Sequence, residues 1–330
     1  MIGRDNRIDN IKGILMLLVI FGHMIEPLLN YNPVLSRVYN FIYLFHIPAF
    51  VFFSGFLNGA GSKNQSEKIV NGLVIPLIFF SFVYEIPDLL LRGDLSGYIK
   101  ALTPNWILWF LVSLISWRAI TPILIRVRFI LFFAIAASIL ISLLKVDGYL
   151  YGAFRTIIFY PFYLLGVMFS DRKETLKGVE IKPFLYAFAA ILMAVIAILD
   201  LPFSRYLLYC VAPFSAFGYT DEAGIVQRIE YYVVAAIGIF LFSIISSPIS
   251  AFKKIGESSL YVYLWHGLIV KYLLWPYVLS NDMSTIGALG TALLCSIVLG
   301  YSLSSRPVVT YTNWVLERVK RLLIKNSYHH

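Results

Sequence analysis

Residues 11–26 read IKGILMLLVIFGHMIE, and the fold is decided there. From Ile14 to Phe21 every side chain is apolar. The run then continues through Gly22 into His23 and Glu26. Such a segment is oily enough to enter a bilayer, yet it carries ionisable groups where a membrane helix ordinarily carries hydrocarbon. Ionisable groups at that depth are costly and mark a functional site.

The whole chain extends this reading. Its 330 residues are 59% hydrophobic and 14% charged, whereas a soluble domain carries about 25% charged residues. A spanning helix needs about 20 apolar residues. Ten stretches qualify, roughly 11–30, 39–58, 69–91, 105–124, 128–145, 155–171, 183–200, 228–247, 258–277 and 285–305. The expected fold is all-α, a polytopic integral membrane bundle of about ten transmembrane helices with both termini cytoplasmic. A membrane domain is expected over residues 1–305. Residues 306–330 form a basic amphipathic tail, whose WVLERVKRLLIKN segment suits a helix lying on an anionic inner leaflet. Pro202, Pro213 and Gly218 interrupt residues 201–227, which read as a non-spanning loop or partly re-entrant segment. The N-terminal run is too long for a signal-peptide core. Cys210 and Cys295 have no metal or disulfide spacing.

The net charge of +9 does not point to nucleic acid, because Lys and Arg fall in short loops between apolar spans, where they report topology. With the N-terminus inside, 19 of the 27 Lys and Arg lie in inner segments, 7 lie in outer ones, and Lys271 lies within the ninth span. The inner set includes Arg4, Arg7, Lys12, Lys63, Lys173, Lys177 and Lys325; the outer set includes Lys100 and Arg155.

At 100° per residue, Lys12 and His23 fall on one face of the first helix, about 16 Å apart along its axis. Glu26 follows His23 at i+3, and Asp9 precedes Lys12 at i−3, so one stripe carries all four. On the second helix His46 lies at a depth similar to that of His23. Pro48 should kink that helix and free a backbone carbonyl near His46. His266 lies about 12 Å in from the inner boundary; His329 and His330, at the tail tip, carry no role. Each residue also has a plainer reading. A lone membrane histidine is often a helix–helix hydrogen bonder, and Glu26 sits near a helix end. Ser54 and Gly55 can be a small-residue packing contact. Arg155 can simply snorkel, and Trp106, Trp109 and Trp265 can be interfacial or core residues.

The chemistry that suits a His–Glu pair is acyl transfer to an alcohol. Neutral imidazole takes the hydroxyl proton, and the carboxylate fixes the tautomer and stabilises the imidazolium. A basic inner entrance suits a phosphorylated donor such as a coenzyme A thioester. The competing class is a proton-coupled transporter or exporter of a small molecule, in which His and Glu form a relay. No matched pair of broken helices in two halves supports that class.

Two segments carry a family resemblance. RDNRIDNIKGILMLLVIFGH, with Lys12 and His23 separated by ten residues, and FHIPAFVFFSGFL, with His46, Pro48, Ser54 and Gly55, resemble the signatures of the acyltransferase-3 family of integral membrane acyltransferases. Weaker matches are WILWFLVSL at 106–114, RTIIFYPFYLLG at 155–166 and IGESSLYVYLWHGLI at 255–269. The subtype is similar to the fucose 4-O-acetylase-like branch, which lacks a fused soluble domain. The resemblance implies acetyl-CoA as a cytoplasmic acyl-donor substrate, with no tightly bound cofactor and no metal, and O-acetylation of a surface or exported carbohydrate. The expected setting is a bacterial inner (plasma) membrane. The catalytic residues are expected to be His23 and Glu26. Lys12, Arg7 and His266 belong to the donor side, and His46, Ser54 and Arg155 to the acceptor pocket. Lys12 stands where Arg is commoner in the family, which removes bidentate phosphate contacts.

Overall fold

The computed structural model describes residues 6–61, 64–95, 98, 103–146, 148–172, 180–199, 201 and 203–324. Arg4, Lys63, Lys100, Lys173, Lys177, Pro202, Lys325, His329 and His330 lie outside the described residues. Those described form helices and no strand. In chain order the helices are α1 (Asn6–Ile25), α2 (Pro33–Asn58), α3 (Gln65–Ile69, a π-helical turn Val70–Val74, then Ile75–Arg92) and α4 (Trp109–Leu124). They continue with α5 (Ile130–Leu143), α6 (Ala153–Phe169), α7 (Pro183–Ile198) and α8 (Asp221–Ser246). The last are α9 (Ser259–Ile269, a π-helical turn Val270–Leu274, then Trp275–Ser280), α10 (Thr285–Leu303) and α11 (Arg306–Leu323).

Each of the ten apolar stretches is a helix. Seven of the helices, α1, α2, α3, α4, α6, α8 and α10, are long and apolar enough to cross a membrane. α5 and α7 are apolar but have only 14 and 16 residues, and a π-helical turn interrupts α9. The outer surface carries large exposed apolar side chains, among them Phe82, Leu90, Phe132, Ile198, Phe240 and Ile286. A lipid-facing surface accommodates these without cost, whereas water would not.

Local chemistry explains several boundaries. Asn32 accepts from the Val34 and Leu35 amides at 3.1 and 3.2 Å, and Pro33 opens α2, which satisfies amides that no helical carbonyl reaches. α8 starts seven residues before the apolar run expected at 228. Thr220 caps the Ala223 amide, and Asp221 and Glu222 occupy the first turn, where carboxylates favour the positive helix end. Residues 201–227 therefore divide. A short helix Arg205–Tyr209 and a 3₁₀ turn Phe214–Phe217 precede a polar start to α8. Pro48 does not end α2, which runs through it to Asn58.

The bundle is closed by glycine contacts. Gly55 on α2 meets the Tyr163 backbone carbonyl of α6, and Gly166 on α6 meets the Phe52 carbonyl of α2; a Cβ at either position would overlap that oxygen. The two helices thus touch backbone to backbone, the close approach small residues permit in membranes. α1 passes through the interior with Leu15, Met16 and Ile20 fully buried. It packs on α2, α9, α10 and the short helix Lys253–Glu257.

Candidate active site

His23 sits in the last turn of α1. Pro27 has no amide hydrogen to continue an α-helix, and the chain tightens into a 3₁₀ turn over Glu26–Leu28. That turn brings Glu26 Oε2 to 3.0 Å from His23 Nδ1. A carboxylate only accepts, so Nδ1 carries the hydrogen, and in the neutral imidazole this tautomer leaves the lone pair on Nε2. Trp275 Nε1 donates to the His23 carbonyl at 2.7 Å. The Trp106 ring lies 4.6 Å from the imidazole and packs on Trp275 at 5.1 Å. The histidine is held on several sides.

His23 and Glu26 line a cavity of ≈ 320 Å³. Its walls come from α1, α2, the connections leading into α4 and α6, the segment around Tyr209, and Trp275 of α9. Arg155 lines it too, in the first turn of α6. Half of the remaining lining is aromatic, including Tyr43, Trp106, Trp109 and Tyr149. Tyr43 of this wall stacks on Tyr39 with ring centroids 4.1 Å apart. Burial, with the Glu26 carboxylate next, pushes the Tyr209 phenol up to about 12. It stays an O–H donor at neutral pH and donates to Tyr39 at 3.0 Å.

The structure gathers some of the expected residues and separates others. His266 of α9 is fully buried, and its ring stacks on His23 with centroids 5.7 Å apart and planes 26° from parallel. Its Nδ1 lies 2.8 Å from the Tyr263 carbonyl and 3.1 Å from that of Val262, so Nδ1 carries the hydrogen and Nε2 is a buried acceptor without a partner. His46, also buried, donates from Nδ1 to the Ile42 carbonyl at 2.8 Å and stands edge-on to Tyr43 at 4.5 Å. It therefore lies behind the cavity wall. Ser54 is two turns further along α2 and donates to Phe50 O at 2.8 Å. At the other end of α1, Lys12 donates to Gly256 O at 3.0 Å and lies 3.9 Å from Asp9, and Arg7 is exposed. Leu15, Met16, Val19 and Ile20 fill the interval between Lys12 and His23.

The residues that fix Trp106 were not singled out in the sequence. Trp106 has φ +26°, a sterically disfavoured value for a bulky residue. Two anchors hold this turn. Asn105 Nδ2 donates to the buried Glu85 at 2.6 Å, and Tyr263 OH donates to the Ile107 carbonyl. Asp88, one turn beyond Glu85, accepts from Tyr272 at 2.9 Å. The available signal was the sequence YEIPD at residues 84–88, two carboxylates within an apolar span. Trp275, which carries the bond to the His23 backbone, gave no signal of its own. Among the described residues no three His, Cys, Asp or Glu side chains are placed to hold a metal ion.

Comparison with known proteins gives a consistent result. A family model described as Acyltransferase domain matches residues 5–305. Nodulation protein NolL of Sinorhizobium fredii (strain NBRC 101917 / NGR234) is 28% identical over 188 residues, covering 52% of this chain and 50% of that protein. Nodulation protein NolL of Mesorhizobium japonicum (strain LMG 29417 / CECT 9101 / MAFF 303099) is 27% identical over 189 residues, covering 51% and 48%. The chain spans about half the length of these curated relatives. No solved structure matches it.

Proposed function

Since the chain belongs to the acyltransferase-3 family, we propose that it is a membrane O-acetyltransferase that moves an acetyl group from acetyl-CoA to a hydroxyl of a surface or exported carbohydrate. The observation that carries this reading is the His23–Glu26 pair, 3.0 Å apart, on the wall of an aromatic-lined cavity. Aromatic walls suit the apolar faces of a sugar ring. The imidazole Nε2 lone pair suits a hydroxyl proton.

In the proposed step His23 Nε2 takes the proton of the acceptor hydroxyl while its oxygen attacks the acetyl carbonyl. The C–S bond of the thioester breaks, and the departing thiolate takes the proton back from the imidazolium. Glu26 holds the tautomer and balances the transient charge. Lys12 and Arg7 belong to the end of α1 that faces the donor in this reading. The N-terminus is cytoplasmic, the cavity faces outward, and the setting is a bacterial plasma membrane.

The test uses purified protein in lipid nanodiscs with labelled acetyl-CoA and a panel of oligosaccharides, with mass spectrometry of the products. Wild type should add an acetyl group to a glycan. His23→Ala should lower the rate by roughly a hundred- to ten-thousandfold while remaining folded. Full activity in that variant removes His23 from the mechanism.

A further inference from the structure

Arg155 is a cation in an unfavourable place. It is the third residue of α6, where the positive end of the helix dipole disfavours another positive charge. Gly152 at the cap position is left-handed, with φ +66°, and no side chain caps the helix. Among the described residues no carboxylate lies within ion-pair distance of Arg155. Glu26, in the same cavity, is engaged with His23. The helix end therefore adds positive potential at Arg155, and among the described residues no ion pair offsets it.

The side chain is nevertheless fixed in position. Its Nε donates to the Tyr209 carbonyl at 3.1 Å, and the guanidinium carbon lies 4.7 Å from the Trp109 ring centroid. These contacts occupy one edge and one face of the group. Among the described residues the two terminal nitrogens have no hydrogen-bond partner, and the residue lines the cavity with Gly152 and Trp109. A guanidinium oriented in this way presents paired donors matched to two oxygens of a carboxylate or phosphate. Snorkelling alone accounts for neither the stacking nor the inward position.

We propose that the first turn of α6, with Arg155 as its fork, is an oxyanion site in the acceptor cavity, so that the carbohydrate acceptor is anionic. This rests on the acetyl-transfer reading for the acceptor's identity. The anion is either a carboxylate on an acidic sugar or the phosphate through which a glycan is held on its carrier. Arg155 positions the acceptor, and the proton chemistry stays with His23.

The test is binding to the full chain in nanodiscs, read by tryptophan fluorescence, because Trp106, Trp109 and Trp275 line the cavity. The probes are a glucuronate-containing tetrasaccharide, the same tetrasaccharide after carboxyl reduction, glucose 1-phosphate, glucose and coenzyme A. At least one anionic sugar should bind about tenfold or more tightly than its neutral partner. Arg155→Met and Arg155→Gln should erase that preference, and Arg155→Lys should keep part of it. A preference confined to glucuronate assigns the carboxylate source; one confined to glucose 1-phosphate assigns the phosphate source. The proposal is overturned if neither anion binds saturably, if the preference survives in both folded Met and Gln variants, or if these variants lose only coenzyme A binding. Failure of the acetyl-transfer reading has a different sign: no coenzyme A is released with any glycan while the Arg155-dependent preference persists.

Discussion

His266 shows how a buried polar atom separates architecture from chemistry. Its Nδ1 is satisfied by two backbone carbonyls, and its Nε2 is buried without a partner. An unsatisfied buried acceptor costs about 1–3 kcal/mol, so a purely structural role would be served better by an apolar ring. His266→Phe removes that acceptor and retains a planar side chain facing His23. Its thermal midpoint should be equal to or above that of wild type, and its acetyl-transfer rate should fall. A variant as active as wild type would reduce His266 to a packing residue. Glu26→Gln makes a complementary point: it keeps the volume and an acceptor but no longer balances an imidazolium. Rate measurements should show a loss smaller than that of His23→Ala, without a change in folding.

The helices determine how these side chains are held, and the contact of α2 with α6 matters most for the cavity. α2 contributes Tyr43 to one wall, α6 contributes Arg155 to another, and Gly55 and Gly166 set their separation. Gly55→Ala places a Cβ on the Tyr163 carbonyl, a rigid backbone atom that cannot move aside. Overpacking of this kind costs about 1–3 kcal/mol. The thermal midpoint in detergent should drop, and the transfer rate should drop with it. Equal stability in Gly55→Ala would mean that the helices separate freely. Much of this was readable in the sequence. His23 and Glu26 share a face through helical spacing alone, and each of the ten apolar stretches coincides with a helix, seven of them long enough to span. The start of α8 was missed because hydrophobicity does not register a polar first turn capped by Thr220. The turn that presents Trp106 was missed because Glu85, Asn105 and Tyr263 come from distant parts of the chain. Their convergence is a property of packing, which no local pattern encodes.

The whole molecule adds direction to the chemistry. Lys12 and His23 occupy opposite ends of α1, with buried apolar residues between them, so donor and acceptor can be received from opposite sides of a membrane. In the proposed topology, which the 19-to-7 partition of Lys and Arg supports, the Lys12 end lies inside and the cavity faces outward, its walls coming from connections at the other end of α1. Cysteine labelling tests this directly. Tyr31, in the connection between α1 and α2, is 82% exposed, and Lys254, beside the Lys12 end of α1, is also solvent-accessible. Cys210 is buried, and Cys295 lies within α10, so the wild-type chain provides the background. In intact cells a membrane-impermeant maleimide should label Tyr31→Cys and leave Lys254→Cys unlabelled until the cells are permeabilised. The reverse pattern would put the cavity on the cytoplasmic side and bring donor and acceptor to the same face, in which case the acetyl group would not need to cross the bilayer.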